Sequence, residues 1–163
     1  MNYPPFRTAT AQDAAAIVAL VNTAFRVERF FIEGERTNPE HVHTLLQTGV
    51  FLLAEAAGQL IGCVYVEIRG ERGERGYFGL LAVDPAHQRT GLGSHLVAAA
   101  EGHCRAAGCS VMELQTVNVR TELPGIYRRL GYEVCGTAPF VAAHQPKIPC
   151  HFVKMEKLLL PTA

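Results

Sequence analysis

Leu81-Ala82-Val83-Asp84-Pro85-Ala86-His87-Gln88-Arg89-Thr90-Gly91-Leu92-Gly93 is the stretch on which the fold turns. The apolar run Tyr77 to Val83 predicts a central strand buried on both faces, and Asp84-Pro85 ends it. Leu92, Leu96, Val97, Ala100, Cys104 and Ala107 then share one helical stripe, which Gly108 closes. The unit is strand, tight turn, helix. The first amides of such a helix have no intrahelical acceptor, and with the helix dipole they form an anion site. Gly91 and Gly93 remove side chains that would keep a pyrophosphate off that backbone, and Arg89 adds a cation at the rim. The same residues also suit an ordinary strand-turn-helix junction.

Other phosphate loops fit less well. No lysine follows the glycines, as a Walker loop requires. A dinucleotide fingerprint needs a third small residue where Leu96 stands. Glu113 has the spacing of that fingerprint's ribose acid, but it falls in mid-strand between Met112 and Leu114.

Outward from this stretch, Thr10-Ala11-Gln12-Asp13 resembles a capping box and opens an amphipathic helix over 11–26. Residues 27–37 mix charges and aromatics without a period. Asn38-Pro39-Glu40 starts a second helix, stopped by Gly49. Residues 50–55 and 59–69 form a hairpin around Ala57-Gly58, and 70–76 is a charged, glycine-rich turn. Beyond the glycine motif come a strand at 111–117, a short helix at 123–130, and strands at 132–137 and 151–158. Residues 138–149 carry three prolines and form a loop. The order β-α-α-β-β-β-α-β-α-β-β predicts an α/β (α+β) domain, a mixed sheet layered with helices.

The length of 163 residues suits one domain over 1–163. Fifteen basic and fifteen acidic residues cancel, so no net field draws the chain to nucleic acid or an anionic membrane. The amino terminus lacks the charged and apolar regions of a signal peptide, and no apolar run reaches the ~18 residues of a membrane span. Five cysteines, without a CxxC pair, predict reduced thiols in a cytoplasmic protein. Cys63 or Cys135 could carry an acyl group, but neither has a histidine beside it in sequence. The histidines lack metal-ligand spacing, so no metal is expected.

Gln88-x-x-Gly91-x-Gly93 after Leu81-Ala82-Val83-Asp84-Pro85 resembles the acetyl-CoA motif of the GNAT superfamily of N-acetyltransferases. Asn118 to Tyr132 is similar to the second signature of that family: an Asn, a helix with a Tyr, then Gly-Tyr. The resemblance spans nearly the whole chain. It implies a mostly antiparallel sheet of about seven strands flanked by four helices, and acetyl-CoA as co-substrate. Around the pyrophosphate it implies Gln88, Arg89, Thr90, Gly91, Leu92, Gly93 and Ser94. It further implies main chain at Leu81 and Val83 paired with pantetheine, an N–H near Ala82 for the oxyanion, and Tyr127 as acid to the thiolate. A helix tyrosine at that place could instead pack under the sheet. Asn118 lies nine residues before Tyr127 where the commoner spacing is seven, and Arg120 holds the seven-residue place.

In this family an amine attacks the thioester directly. The predicted central strand offers no carboxylate as base, so Glu67 on the preceding strand is the candidate, with Glu28, Glu33 and Glu35 behind it. An amine of pKa ~10.4 needs about 4–5 kcal/mol to lose its proton at neutral pH, and one near ~8 needs only about 1.4. A weak base therefore leans towards the more acidic amines. The expected reaction is N-acetylation of a small-molecule or amino-acid-like primary amine. A protein amino terminus or lysine is the alternative acceptor, and a non-catalytic acyl-CoA-binding module the alternative class. Acceptor selectivity is expected from 27–37 and 138–149, and a homodimer is compatible with the sequence. Phe25, Phe30 and Phe31 suit a core cluster better than a pocket.

Overall fold

The computed structural model describes residues 5–142 and 144–161. The amino-terminal Met1–Pro4, where signal-peptide features were sought, lies outside them. Eleven main elements follow in chain order: β1 Arg7–Thr8, α1 Ala14–Ala24, α2 Pro39–Thr48, β2 Val50–Ala56, β3 Gln59–Arg69, β4 Arg75–Val83, α3 Leu92–Ala106, β5 Val111–Val117, α4 Leu123–Arg129, β6 Glu133–Pro139 and β7 His151–Leu158. The strands make one seven-stranded sheet in the order β1-β2-β3-β4-β5-β7-β6. Every pairing is antiparallel except β4 with β5.

Helix starts and stops follow local chemistry. Asn38 caps α2 by accepting the His41 N–H at 2.8 Å, and Pro39 fills the first turn. The Thr10 N–H donates to the Asp13 carboxylate at 2.7 Å, and Arg7 clamps the same carboxylate and Glu55, tying β1 and β2 to the start of α1. The expected helix over 11–26 is divided: a 3-10 turn at Ala11–Asp13, α1 proper, then a second 3-10 stretch over Phe25–Phe30.

The sheet has a core on each face. Ile17, Leu20 and Val21 of α1 and Val42 of α2 cover one side. Leu92, Leu96, Val97, Ala100 and Cys104 of α3 cover the other. Glu101 interrupts that stripe but is not stranded. It accepts from the buried Tyr132 hydroxyl at 2.7 Å and from Lys157 at 3.1 Å, which ties α3 to β7.

β4 is the irregular strand. Tyr65 pairs with Gly79 and Cys63 with Ala82, so Val64 alone stands against Leu80 and Leu81. This is a β-bulge, and Leu80 adopts φ +47° within it. A leucine in that left-handed region costs of order 1–2 kcal/mol. Burying a leucine side chain contributes about 1.5–3 kcal/mol. Leu80 is buried against the α1 layer, so burial can offset the strain. Its carbonyl also accepts the Cys63 thiol at 3.7 Å.

The extra residue reverses which side chains face which layer. Phe78 packs with α3, but beyond the bulge Leu81 and Val83 do so, while Leu80 and Ala82 turn to α1. Gly79 lies just before the bulge and has another use. A Cβ there would meet the Tyr77 hydroxyl at 2.6 Å, so Gly79 makes room for the Tyr77 ring. β4 also begins two residues earlier than expected, at Arg75, and its residues alternate between buried and half-buried rather than being buried on both faces.

Leu96 is fully buried on α3 beside Gly62 of β3. Leu96→Ala should lower the stability measured by urea unfolding by about 2–5 kcal/mol. A loss under about 0.5 kcal/mol is the ordinary effect of a surface site and would contradict this packing.

Candidate active site

β4 and β5 run parallel but stay paired only at Arg75–Val111, Gly76–Met112 and Tyr77–Glu113. Arg75 fixes this closed end, donating to Glu113 of β5 at 2.6 Å and Glu156 of β7 at 3.0 Å. Glu113 therefore holds strands together and is not placed to bind a ribose. Beyond Tyr77 the strands part, and the gap between them opens a cavity of about 540 Å³, within the range of roughly 300–1,000 Å³ usual for small-ligand sites. Its walls include Phe78 to Leu81 and Val83 of β4 and Leu114 to Val117 of β5, facing edges that no neighbouring strand covers.

The wide end meets the amino terminus of α3. Arg89 and Gly91 both have positive φ, +63° and +86°. Left-handed residues in such a turn help aim successive N–H groups into one concavity. Gly91 caps α3, and His95 makes the first full-turn bond back to its carbonyl at 3.1 Å. The amides of Leu92, Gly93 and Ser94 precede that bond in the first turn of α3. A Cβ on Gly93 would touch only Val83, at 3.9 Å, so the space above that amide is open. Gln88 ties the loop to the strand by donating to the Val83 carbonyl at 3.2 Å. The Thr90 hydroxyl donates to the His87 carbonyl at 2.6 Å.

Tyr127 of α4 lines the narrow end, its ring 5.9 Å from that of Phe78 and 6.2 Å from that of Tyr132. Burial pushes its phenol up to about 12, against a smaller lowering by the Arg120 charge. The hydroxyl therefore keeps its proton throughout the neutral range. Thr116 on β5 lines the same cavity, is only 4% exposed, and has no partner for its hydroxyl among the described residues. A buried polar atom without a partner calls for an explanation, and a ligand hydrogen bond is one.

Glu28, at 8% exposure, is the cavity's buried carboxylate. It belongs to the 3-10 stretch after α1 and accepts from Arg120 at 2.9 Å, across 92 residues of chain. Burial raises its pKa, and the Arg120 guanidinium opposes that rise. Arg120 also donates to Glu122 at 2.6 Å.

Of the residues expected at the site, Leu81, Val83, Gln88, Arg89, Gly93 and Tyr127 line the cavity. The side chains of Ala82 and Leu92 turn into the cores, while Gly91 and Ser94 shape the start of α3. Glu67 is not in the cavity wall. Its carboxylate accepts from the Tyr65 hydroxyl at 3.0 Å and from Arg69 at 3.1 Å. Asn118 is also outside it, its amide oxygen held by the His151 N–H at 2.8 Å. Arg120, at the seven-residue place, is the one that reaches the cavity. Phe31 is fully buried, Phe30 is exposed, and Phe25 lines the cavity, so the aromatic cluster is split between roles. Cys63 is enclosed, with its thiol pushed up to about 12 by burial, which makes it a poor nucleophile. Cys135 is exposed. Among the described residues no three metal-binding side chains converge, and no helix is long and apolar enough to cross a membrane.

A cavity between two parted parallel strands, over a helix amino terminus, can take an extended ligand with an anionic end. The acetyltransferase (GNAT) family matches residues 15–132, and the chain belongs to that family. Mycothiol acetyltransferase from Thermobispora bispora is 34% identical over 86 residues. That match covers 50% of this chain but only 29% of the relative, so the chain spans well under half the length of the curated relative it matches. Among solved structures, ribosomal-protein-alanine N-acetyltransferase from Brucella melitensis superposes with a TM-score of 0.74 at 24% identity, over 94% of this chain and 99% of that one. A GNAT acetyltransferase from Streptococcus pneumoniae gives 0.73 at 20% identity, over 95% and 98%.

The Glu28–Arg120 pair closes one wall of the site, and its removal should be visible in stability. Arg120→Ala strands a buried carboxylate and should cost roughly 3–5 kcal/mol. Without the guanidinium the Glu28 carboxyl rises further, so the folded state holds its proton more readily than the unfolded chain. The cost should therefore be smaller near about pH 4 than near about pH 8 in denaturant titrations. A cost independent of pH would contradict the pairing.

Proposed function

We propose that this protein transfers an acetyl group from acetyl-CoA to a primary amine of a small-molecule or amino-acid-like acceptor, by direct attack within a ternary complex. The observation that carries this reading is the single cavity that joins the α3 amino terminus, Tyr127 and Glu28. Its residues fit the co-substrate. Amides from Arg89 to Ser94, with the Arg89 side chain, suit a pyrophosphate. The uncovered edge of β4 at Leu81 and Val83 suits the pantetheine amides as an added strand would. Acetyl-CoA supplies an acyl group already activated as a thioester.

The chain's own residues supply the proton chemistry. Tyr127 keeps its proton and lines the same cavity, which suits it to protonate a departing sulfur. Glu28 is the base. A carboxyl raised by burial accepts an ammonium proton more readily than one in water, because the gap to the amine pKa is smaller. Glu67, bonded to its own strand, has no comparable access to the cavity.

A small acceptor is favoured by the roof. Residues 25–29 and 32–36 line the acceptor end of the cavity together with Phe140, Val141, Ala142 and His144. Ile32 bridges Pro146, the Lys147 N–H donates to the Phe31 carbonyl at 2.6 Å, and its ammonium donates to the Arg29 carbonyl at 3.0 Å. This clasp leaves less room for a folded protein substrate than for a free amine.

A screen of amines for acetyl-CoA-dependent thiol release tests the reading. Tyr127→Phe and Glu28→Gln should each lower turnover by about 10²–10⁴, the reach of general acid–base catalysis. The two should differ with pH. Glu28→Gln should recover as rising pH deprotonates the amine unaided, and Tyr127→Phe should not. Equal recovery, or near-normal turnover in either variant with chemistry rate-limiting, would contradict these roles.

A further inference from the structure

The acceptor end of the cavity holds more positive charge than its ion pairs consume. Arg29 pairs with Glu35 at 3.6 Å, Arg120 with Glu28 at 2.9 Å, and Glu33 with Lys147 at 3.3 Å. Arg36 also lines this end and has no carboxylate partner among the described residues. Its guanidinium instead lies 5.3 Å from the centre of the Phe25 ring, another wall residue. Burial raises the pKa of both Glu28 and Tyr77, and the Arg36 charge opposes each rise. Arg36 therefore sits near the carboxylate and near the closed end of the strand pair.

That position excludes the co-substrate phosphates as its partner. From Tyr77 to Val83, six residues of strand at ~3.3 Å each span about 20 Å. The α3 amino terminus lies beyond the far end of that run. Arg36 is instead at the end where Tyr127 packs on Phe78. Tyr77 and Phe78 point to opposite faces of the sheet, Tyr77 to the α1 side and Phe78 to the α3 side. Tyr127 thus approaches the gap between the strands from one face, and Arg36 and Glu28 approach it from the other. An acceptor entering from the α1 face meets a carboxylate and an uncommitted guanidinium together.

We propose that Arg36 anchors a carboxylate on the acceptor, so that the acceptor is an amino acid whose amine is held by Glu28. This rests on the transferase reading above and narrows its substrate class. A guanidinium takes a carboxylate through two parallel N–H···O bonds, which fixes orientation as well as position. Arg120 donates to one Glu28 oxygen, Oε2, and the ammonium would be held at the other. The chemistry balances without a further reactant. Glu28 takes one proton from the ammonium, and the freed amine nitrogen bonds to the acyl carbon. As the carbon–sulfur bond breaks, Tyr127 donates its proton to the sulfur while the nitrogen's second proton returns to the phenol.

The test uses L-amino acids, their α-amides and their decarboxylated amines as matched acceptors, with acetyl-CoA turnover read by thiol release. The intact protein should prefer an amino acid to its decarboxylated amine by more than about tenfold in kcat/KM, and Arg36→Gln should bring that ratio to about one, chiefly through KM. Arg36→Lys should restore part of the preference, because the charge is kept while the paired bonds are lost. Amines or amides used as well as the acids, or an unchanged preference in Arg36→Gln, would overturn the inference and leave the transferase reading standing. Thermal stabilisation by acetyl-CoA with no turnover of any acceptor would overturn both.

Discussion

One residue too many in β4 governs this molecule. Because Leu80 and Leu81 together oppose Val64, the strand twists out of register with its neighbours. β4 and β5 can then share only the pairings from Arg75 to Tyr77. A regular β4 would let the parallel ladder continue and fill the gap with strand–strand hydrogen bonds. The cavity is therefore not carved into a finished core. It is the space left where two strands cannot stay together. The left-handed Leu80 is the local cost, offset by its burial under α1.

The rest of the structure keeps that gap open without letting it spread. Arg75 locks the closed end to two strands at once. Glu101, Tyr132 and Lys157 brace α3 against the far side of the sheet. Across the mouth, Glu28 and Arg120 join the segment after α1 to the start of α4. Each device joins parts of the chain distant in sequence. Because the bulge exchanges the faces of the strand, Tyr127 and Glu28 serve one gap from opposite layers. The proposed reaction uses this arrangement, with two reactants entering from different sides and meeting between the strands.

Much of this was legible in the sequence, and the failures have physical causes. The limits of α2 were marked by Asn38-Pro39, which cap and fill its first turn, and by Gly49, where a side chain would meet the Val66 carbonyl. Both motifs of the family resemblance fell on the expected elements. The start of β4 was hidden because Arg75, a charged residue, is held in the strand by acids on β5 and β7. The bulge at Leu80 and Leu81 carried no mark of its own, since both are ordinary apolar residues and the neighbouring Gly79 serves the Tyr77 ring. Glu67 looked available because a strand pattern does not reveal that Tyr65 and Arg69 occupy its oxygens. The Glu28–Arg120 pair had two separate signals, Glu28 among the reserve bases and Arg120 at the seven-residue place before Tyr127, but nothing in the sequence joined them. Thr116 and Arg36 had none, since a hydroxyl without a partner and a guanidinium without a carboxylate exist only in three dimensions.

The central claim is that the parted edges of β4 and β5 receive the pantetheine arm while the α3 amino terminus receives the pyrophosphate. Amide hydrogen exchange with and without coenzyme A tests it most directly. The account predicts new protection at Leu81, Val83 and Arg89 to Ser94, with little change in the hairpin of β2 and β3, whose amides already pair. Protection confined to 140–147, or none along β4 at saturating coenzyme A, would contradict it.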